Sequence, residues 1–223
     1  MSDVVITVRG EHETRVAPER AIAHLTIRAE GSDRAAVVER MAALTDPVRE
    51  DLISRQTAGT VVEWTSQRLS VWSERPWNQD GTRLPLVHYA SVDVTATFTD
   101  FTVLSWWVGE VAERDGVQLG WVEWLLTPET RARVERDAAT EAVRVAMTRA
   151  DAYASALGLE KVAPLEVADV GLLSRQDRPE SGPQPMLARA AFAGDAVGST
   201  PSVQLQSEDI VVSAAVEARF MAR

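Results

Sequence analysis

The stretch from Thr127 to Gly158 limits the fold more than any other part of the chain. Thr127-Pro128-Glu129 opens it with a capping hydroxyl and a proline suited to the first helical position, where no N–H is needed. Gly158 closes it, because glycine adopts the backbone that follows a helix C-terminus at little steric cost. The spacing predicts a single helix to Leu157, about 45 Å long at 1.5 Å per residue. Its inner positions are expected at Ala139, Ala142, Ala146, Ala150, Ala154 and Leu157. Such small side chains let a sheet or another helix come close to the helix backbone.

Around this helix the hydrophobic period alternates between two and 3.6. Val4, Ile6 and Val8 predict a short strand that ends in a turn at Gly10, and Ala21 to Ala29 predict a second strand with His24, Thr26 and Arg28 on its other face. Ser32 is the expected N-cap of a helix with Val37, Met41, Leu44, Val48 and Leu52 on one stripe. Pro47 falls inside that stripe without changing its phase, which predicts one kinked helix or two abutting ones. Val61 to Glu74 reads as one long strand carrying Trp64 and Trp72, followed by a turn-rich loop to Pro85 and a strand with Ala90, Val92, Val94, Ala96 and Phe98 on one side. Phe101 to Arg114 has Leu104, Trp107, Val108 and Val111 at helical spacing. Val117 to Leu126 and Ile210 to Phe220 read as further strands. The Pro/Gly/Ser-rich segment 171–207 has little periodicity and is expected as a long excursion, either disordered or ordered against another chain.

Composition removes several function classes. With no cysteine, the chain has no disulfide, no thiolate metal site and no thiol catalysis. A net charge of −10, with no block of like charges, argues against a nucleic-acid partner, which requires clustered cations. No run of eighteen apolar residues is present, so no membrane span is expected. The start Met-Ser-Asp-Val-Val-Ile lacks the pattern of a secretory signal, so the expected location is cytoplasmic, or periplasmic or secreted if a leader has been removed.

Val8-Arg9-Gly10, the segment Val16-Ala17-Pro18-Glu19-Arg20-Ala21, the strand ending at Gly31, Ala156-Leu157-Gly158-Leu159 and Ser207-Glu208 together resemble the SIMPL-domain family in order and spacing. The resemblance runs from Val4 to Phe220, which treats 1–223 as a single SIMPL-like domain. It implies an α+β fold with antiparallel sheet packed against long helices, and a tendency to form ring-like homo-oligomers. The family includes exported bacterial proteins, some noted as antigens or linked to oxidative stress, and shares no established reaction. His12 stands where a second glycine is common, and Glu19 replaces the usual aspartate.

The three histidines, His12, His24 and His88, show no metalloenzyme spacing. A site in which His24 and His88 meet across a sheet, completed by Glu11 or Glu13, is the only metal arrangement that could be drawn, and ordinary solvated histidines are the expectation. No nucleophile motif or phosphate loop occurs, so no catalytic residue, metal ligand or cofactor is assigned. The tryptophans are more informative, because all seven fall between Trp64 and Trp124. Trp107 lies on an apolar helix stripe, whereas Trp106 must point about 100° away from it. Trp64, Trp72, Trp77, Trp106, Trp121 and Trp124 are therefore candidates for a subunit interface or a ligand groove. The expected function is a non-enzymatic, self-assembling scaffold or interaction module, with itself as first partner. The alternative is a module that binds a small ligand, peptide or glycan in a Trp-lined groove.

Overall fold

A computed structural model describes residues 3–77, 83–173 and 205–223. In chain order the elements are β1 (Val4–Val16), β2 (Arg20–Gly31), α1 (Arg34–Thr57), β3 (Val61–Ser66), β4 (Ser70–Glu74), β5 (Val87–Phe98), α2 (Phe101–Ala112), β6 (Val117–Leu125), α3 (Pro128–Ala156), β7 (Val162–Asp169) and β8 (Ile210–Ala222). All strand pairing is antiparallel and the helices cover the sheets, so the fold is α+β. The elements form two compact units, with boundaries among the described residues at Val16/Ala17, Leu126/Thr127 and Glu208/Asp209. Most of the 171–207 excursion, residues 174–204, lies outside the described residues.

The first unit is a three-stranded sheet in the order β1-β8-β7 with α3 packed on it. Thr127 caps α3 through its side chain, which accepts from the Thr130 N–H at 3.3 Å. At the other end Gly158 has φ +72°, the Leu159 N–H reaches the Ala154 carbonyl and the Gly158 N–H reaches that of Ser155. This double bond pattern is a Schellman motif, so both helix ends follow from the sequence. The buried stripe is Val134, Ala138, Ala142, Ala146, Ala150 and Ala154. Ala139 and Leu157, expected inside, are exposed.

Gly10 is also corrected by the structure. Rather than ending a short strand, it sits inside β1, which pairs with β8 without a break from Val4↔Ala222 to Val16↔Ile210. A Cβ at Gly10 would lie 2.0 Å from the Ala142 oxygen and 2.7 Å from the Ala146 nitrogen. Glycine is required there because the alanine stripe brings helix backbone onto strand backbone. Strand β7 was not expected at all. It is an edge strand, mostly exposed, with Pro164 beside a register shift, so it lacks the alternation by which strands are read from sequence.

The second unit is a five-stranded sheet, β3-β5-β2-β6 with β4 also paired to β5, and α1 and α2 cover one face. Its core joins Ala21, Leu25, Ile27, Val94 and Phe98 to Met41, Leu52 and Trp107. Asp33, rather than Ser32, caps α1, its carboxylate accepting from the Ala36 N–H at 2.9 Å. The helix continues through Pro47 as one element, and Val37, Met41, Val48 and Leu52 are buried on one stripe. Trp107 is fully buried, and its indole N–H donates to Asp51 at 2.8 Å. Asp51 also pairs with Arg55 at 3.0 Å. These bonds satisfy the polar edge of a large ring at the junction of α1 and α2.

Candidate functional site

The face of the five-stranded sheet opposite α1 and α2 carries a set of polar and aromatic side chains. The registers arrange them in cross-strand rows, successive rows being roughly 7 Å apart along the strands. Trp72, Tyr89 and Glu30 form the first row, Ser70, Ser91 and Arg28 the second, and Asp93, Thr26 and Gln118 the third. Thr65, Thr95 and His24 form the fourth. Adjacent members are tied together: Thr26 donates to Asp93 at 2.7 Å, and the Thr65 and Thr95 hydroxyls share a bond of 2.7 Å. Beside the fourth row, Trp121 stacks on His24 with ring centroids 4.2 Å apart and planes 13° apart.

Two bulges decide which tryptophans reach this face. Trp64 and Trp72 are eight residues apart, an even number, so an unbroken strand from Val61 to Glu74 would place them on the same side. The expected long strand is instead two. Between the pairs Ser66↔Val94 and Ser70↔Ser91, one chain advances four residues and the other three. The extra residue inverts the facing, so Trp64, opposite Ala96, packs on the core, while Trp72, opposite Tyr89, lies on the open face. A second shift, between Ala23 and Leu25, leaves Gly120 and Trp121 opposite His24. A Cβ at Gly120 would approach the His24 carbonyl oxygen to 3.1 Å.

The six candidate tryptophans consequently separate. Trp64 and Trp124 pack on the core, Trp124 in an edge-on contact with Phe101. Trp72 and Trp121 are 43% and 54% exposed on the open face. They stand three rows apart, roughly 20 Å along the strands, and on opposite sides of β5 and β2. Trp106 is 67% exposed on α2, on the side away from buried Trp107. Trp77, 65% exposed, bridges to Arg83, whose guanidinium lies 5.0 Å from its ring. The structure does not bring the six into one groove.

A groove of about 650 Å³ does lie on the open face, lined by Trp72, Tyr89, Arg28, Ser91, Gln118, Glu30 and Glu74 among others. Only one of its residues is a tryptophan. Trp72 and Tyr89 stack with centroids 5.5 Å apart and planes 17° apart. Sequence reasoning singled out Trp72 but missed the rest, because they come from four strands and meet only once the registers are set.

The metal arrangement drawn from sequence does not form. Thr95, opposite His24, is seven positions from His88 on β5, an odd number, so the two histidines face opposite sides and lie roughly 24 Å apart. Ser73 bonds the His88 ring at 2.7 Å, and Glu11 and Glu13 belong to β1 in the other unit. Among the described residues no three His, Asp or Glu side chains gather as a metal site, and no helix is long and apolar enough to cross a membrane.

A sheet-and-helix chain of this order, beginning with the Val8-Arg9-Gly10 strand and closing with β8, defines a class by its whole length rather than by a catalytic centre. The chain matches, over residues 6–220, the family described as SIMPL, protein of unknown function (DUF541). It belongs to that family, and the resemblance read from its motifs holds along the chain. Comparison with curated proteins gives no match.

Proposed function

We propose that the chain is a non-enzymatic, self-assembling module whose copies join through one edge strand of each of its two sheets, β6 and β7. The observation that carries this reading is the exposed apolar surface of these two edge strands. β6 has one charged residue in nine and leaves Leu119 and Trp121 exposed, and β7 leaves Leu165 and Val167 exposed. Among the described residues β6 and β7 each pair on one side only, and exposed apolar side chains beside such an edge favour pairing with another chain. An assembly larger than a dimer that closes into a ring needs two different surfaces per copy. Edges in two separate units supply two such surfaces. Trp121 is the stronger anchor of the four, since tryptophan is enriched among interface residues that dominate binding.

Trp121→Lys and Val167→Lys test this reading. Each places a charge beside one edge and should reduce the assembled mass without unfolding its unit. Both variants retaining the mass of the parent would refute these edges as the contacts.

A further inference from the structure

We propose that the groove on the open face of the five-stranded sheet binds a neutral sugar, of one or two pyranose rings, through Trp72 and the polar side chains around it. Its volume, about 650 Å³, falls within the roughly 300–1,000 Å³ of small-molecule sites. The groove takes Gln118 from the start of β6 but not Trp121, so Trp121→Lys tests the edge contact without touching the groove lining.

Three features select the ligand class. First, the wall is flat. Trp72 and Tyr89 stack on each other nearly parallel, 17° apart with centroids 5.5 Å apart, so each covers one face of the other and the outer faces of the stack are flat. A quaternary ammonium is held by rings that surround it, whereas the C–H face of a pyranose needs one flat aromatic surface. Second, the charges are mixed. The lining holds Arg28 together with Glu30 and Glu74, one cation against two carboxylates, which gives a phosphate or other polyanion no net attraction. Third, beside Ala29, Ala90 and Val117 the lining carries several groups that donate and accept. The Ser91 hydroxyl, the Gln118 amide, the Arg28 N–H groups and the two carboxylates can bond the several hydroxyls of a sugar, each of which is both donor and acceptor. A lipid chain would leave these groups unpaired.

The registers fix the order of these groups on the sheet. Trp72 is directly opposite Tyr89 and Arg28 directly opposite Ser91, so stacking wall and polar floor occupy successive rows of one sheet.

The experiment is calorimetric titration of the full chain with cellobiose, diacetylchitobiose, maltose and mannobiose, with choline and inorganic phosphate as controls. At least one disaccharide is expected to bind with a dissociation constant of about 1 mM or tighter. Trp72→Ala should weaken it at least tenfold, Trp72→Phe should retain most of it, and Trp106→Ala should leave it unchanged. Arg28→Met, at an exposed position, should weaken it severalfold and serves if Trp72→Ala fails to fold. No heat with any of the four sugars, binding that survives both Trp72→Ala and Arg28→Met, or binding of choline or phosphate in place of sugar would each overturn the proposal.

Discussion

The two sheets are covered by helices of opposite character. On the β1-β8-β7 sheet the contact is made by Ala142, Ala146, Ala150 and Ala154 over Gly10, so backbone meets backbone. On the five-stranded sheet, Met41, Leu52, Leu104 and Trp107 fill the space between helix and strand. The first core is limited by room and the second by volume. They should therefore fail under opposite substitutions: addition of atoms in the first, removal of atoms in the second.

The largest expected effect is Gly10→Val. Its Cβ would collide with α3 backbone, which cannot move aside as a flexible side chain can. A loss of about 4 kcal/mol or more is expected, read as lost hydrogen-exchange protection in α3 and β8. A Gly10→Val protein with normal protection there would break the contrast. Trp107→Ala should cost about 3–5 kcal/mol in urea unfolding, by emptying the largest buried side-chain volume of the other unit. The loss should appear first in α1 and α2. Asp51→Ala keeps the volume of the Trp107 ring but removes the acceptor of its N–H, and should cost about 1–3 kcal/mol. Gly158→Ala is the smallest change. It forces a side chain into positive φ at the α3 C-terminus and should cost about 1 kcal/mol, visible as a lower thermal midpoint.

What could be read from sequence follows the range of the interactions involved. Both ends of α3 and the Leu104, Trp107, Val108, Val111 stripe of α2 were legible because caps and helical period are local. The cap of α1 was displaced by one residue, as Ser32 and Asp33 are both good caps and only the chain's entry direction separates them. Gly10 was misread because a glycine in a strand serves equally as a turn or as a close-approach site, and the helix that decides is over 130 positions away. β7 was illegible because an exposed edge has little reason to alternate. The tryptophans show the same limit in the candidate site. Their clustering between Trp64 and Trp124 left core packing, a subunit contact and a groove open, and a one-residue bulge at 67–69 sends Trp64 to the core and Trp72 to the groove. No local signal encodes that bulge; it exists only in the pairing with β5.

Self-assembly through two sheet edges is the claim on which the functional reading turns, and native mass spectrometry of the full chain at micromolar concentration tests it most directly. The account predicts a discrete species of several copies that falls to smaller species in Trp121→Lys and in Val167→Lys. A strict monomer at that concentration would contradict it.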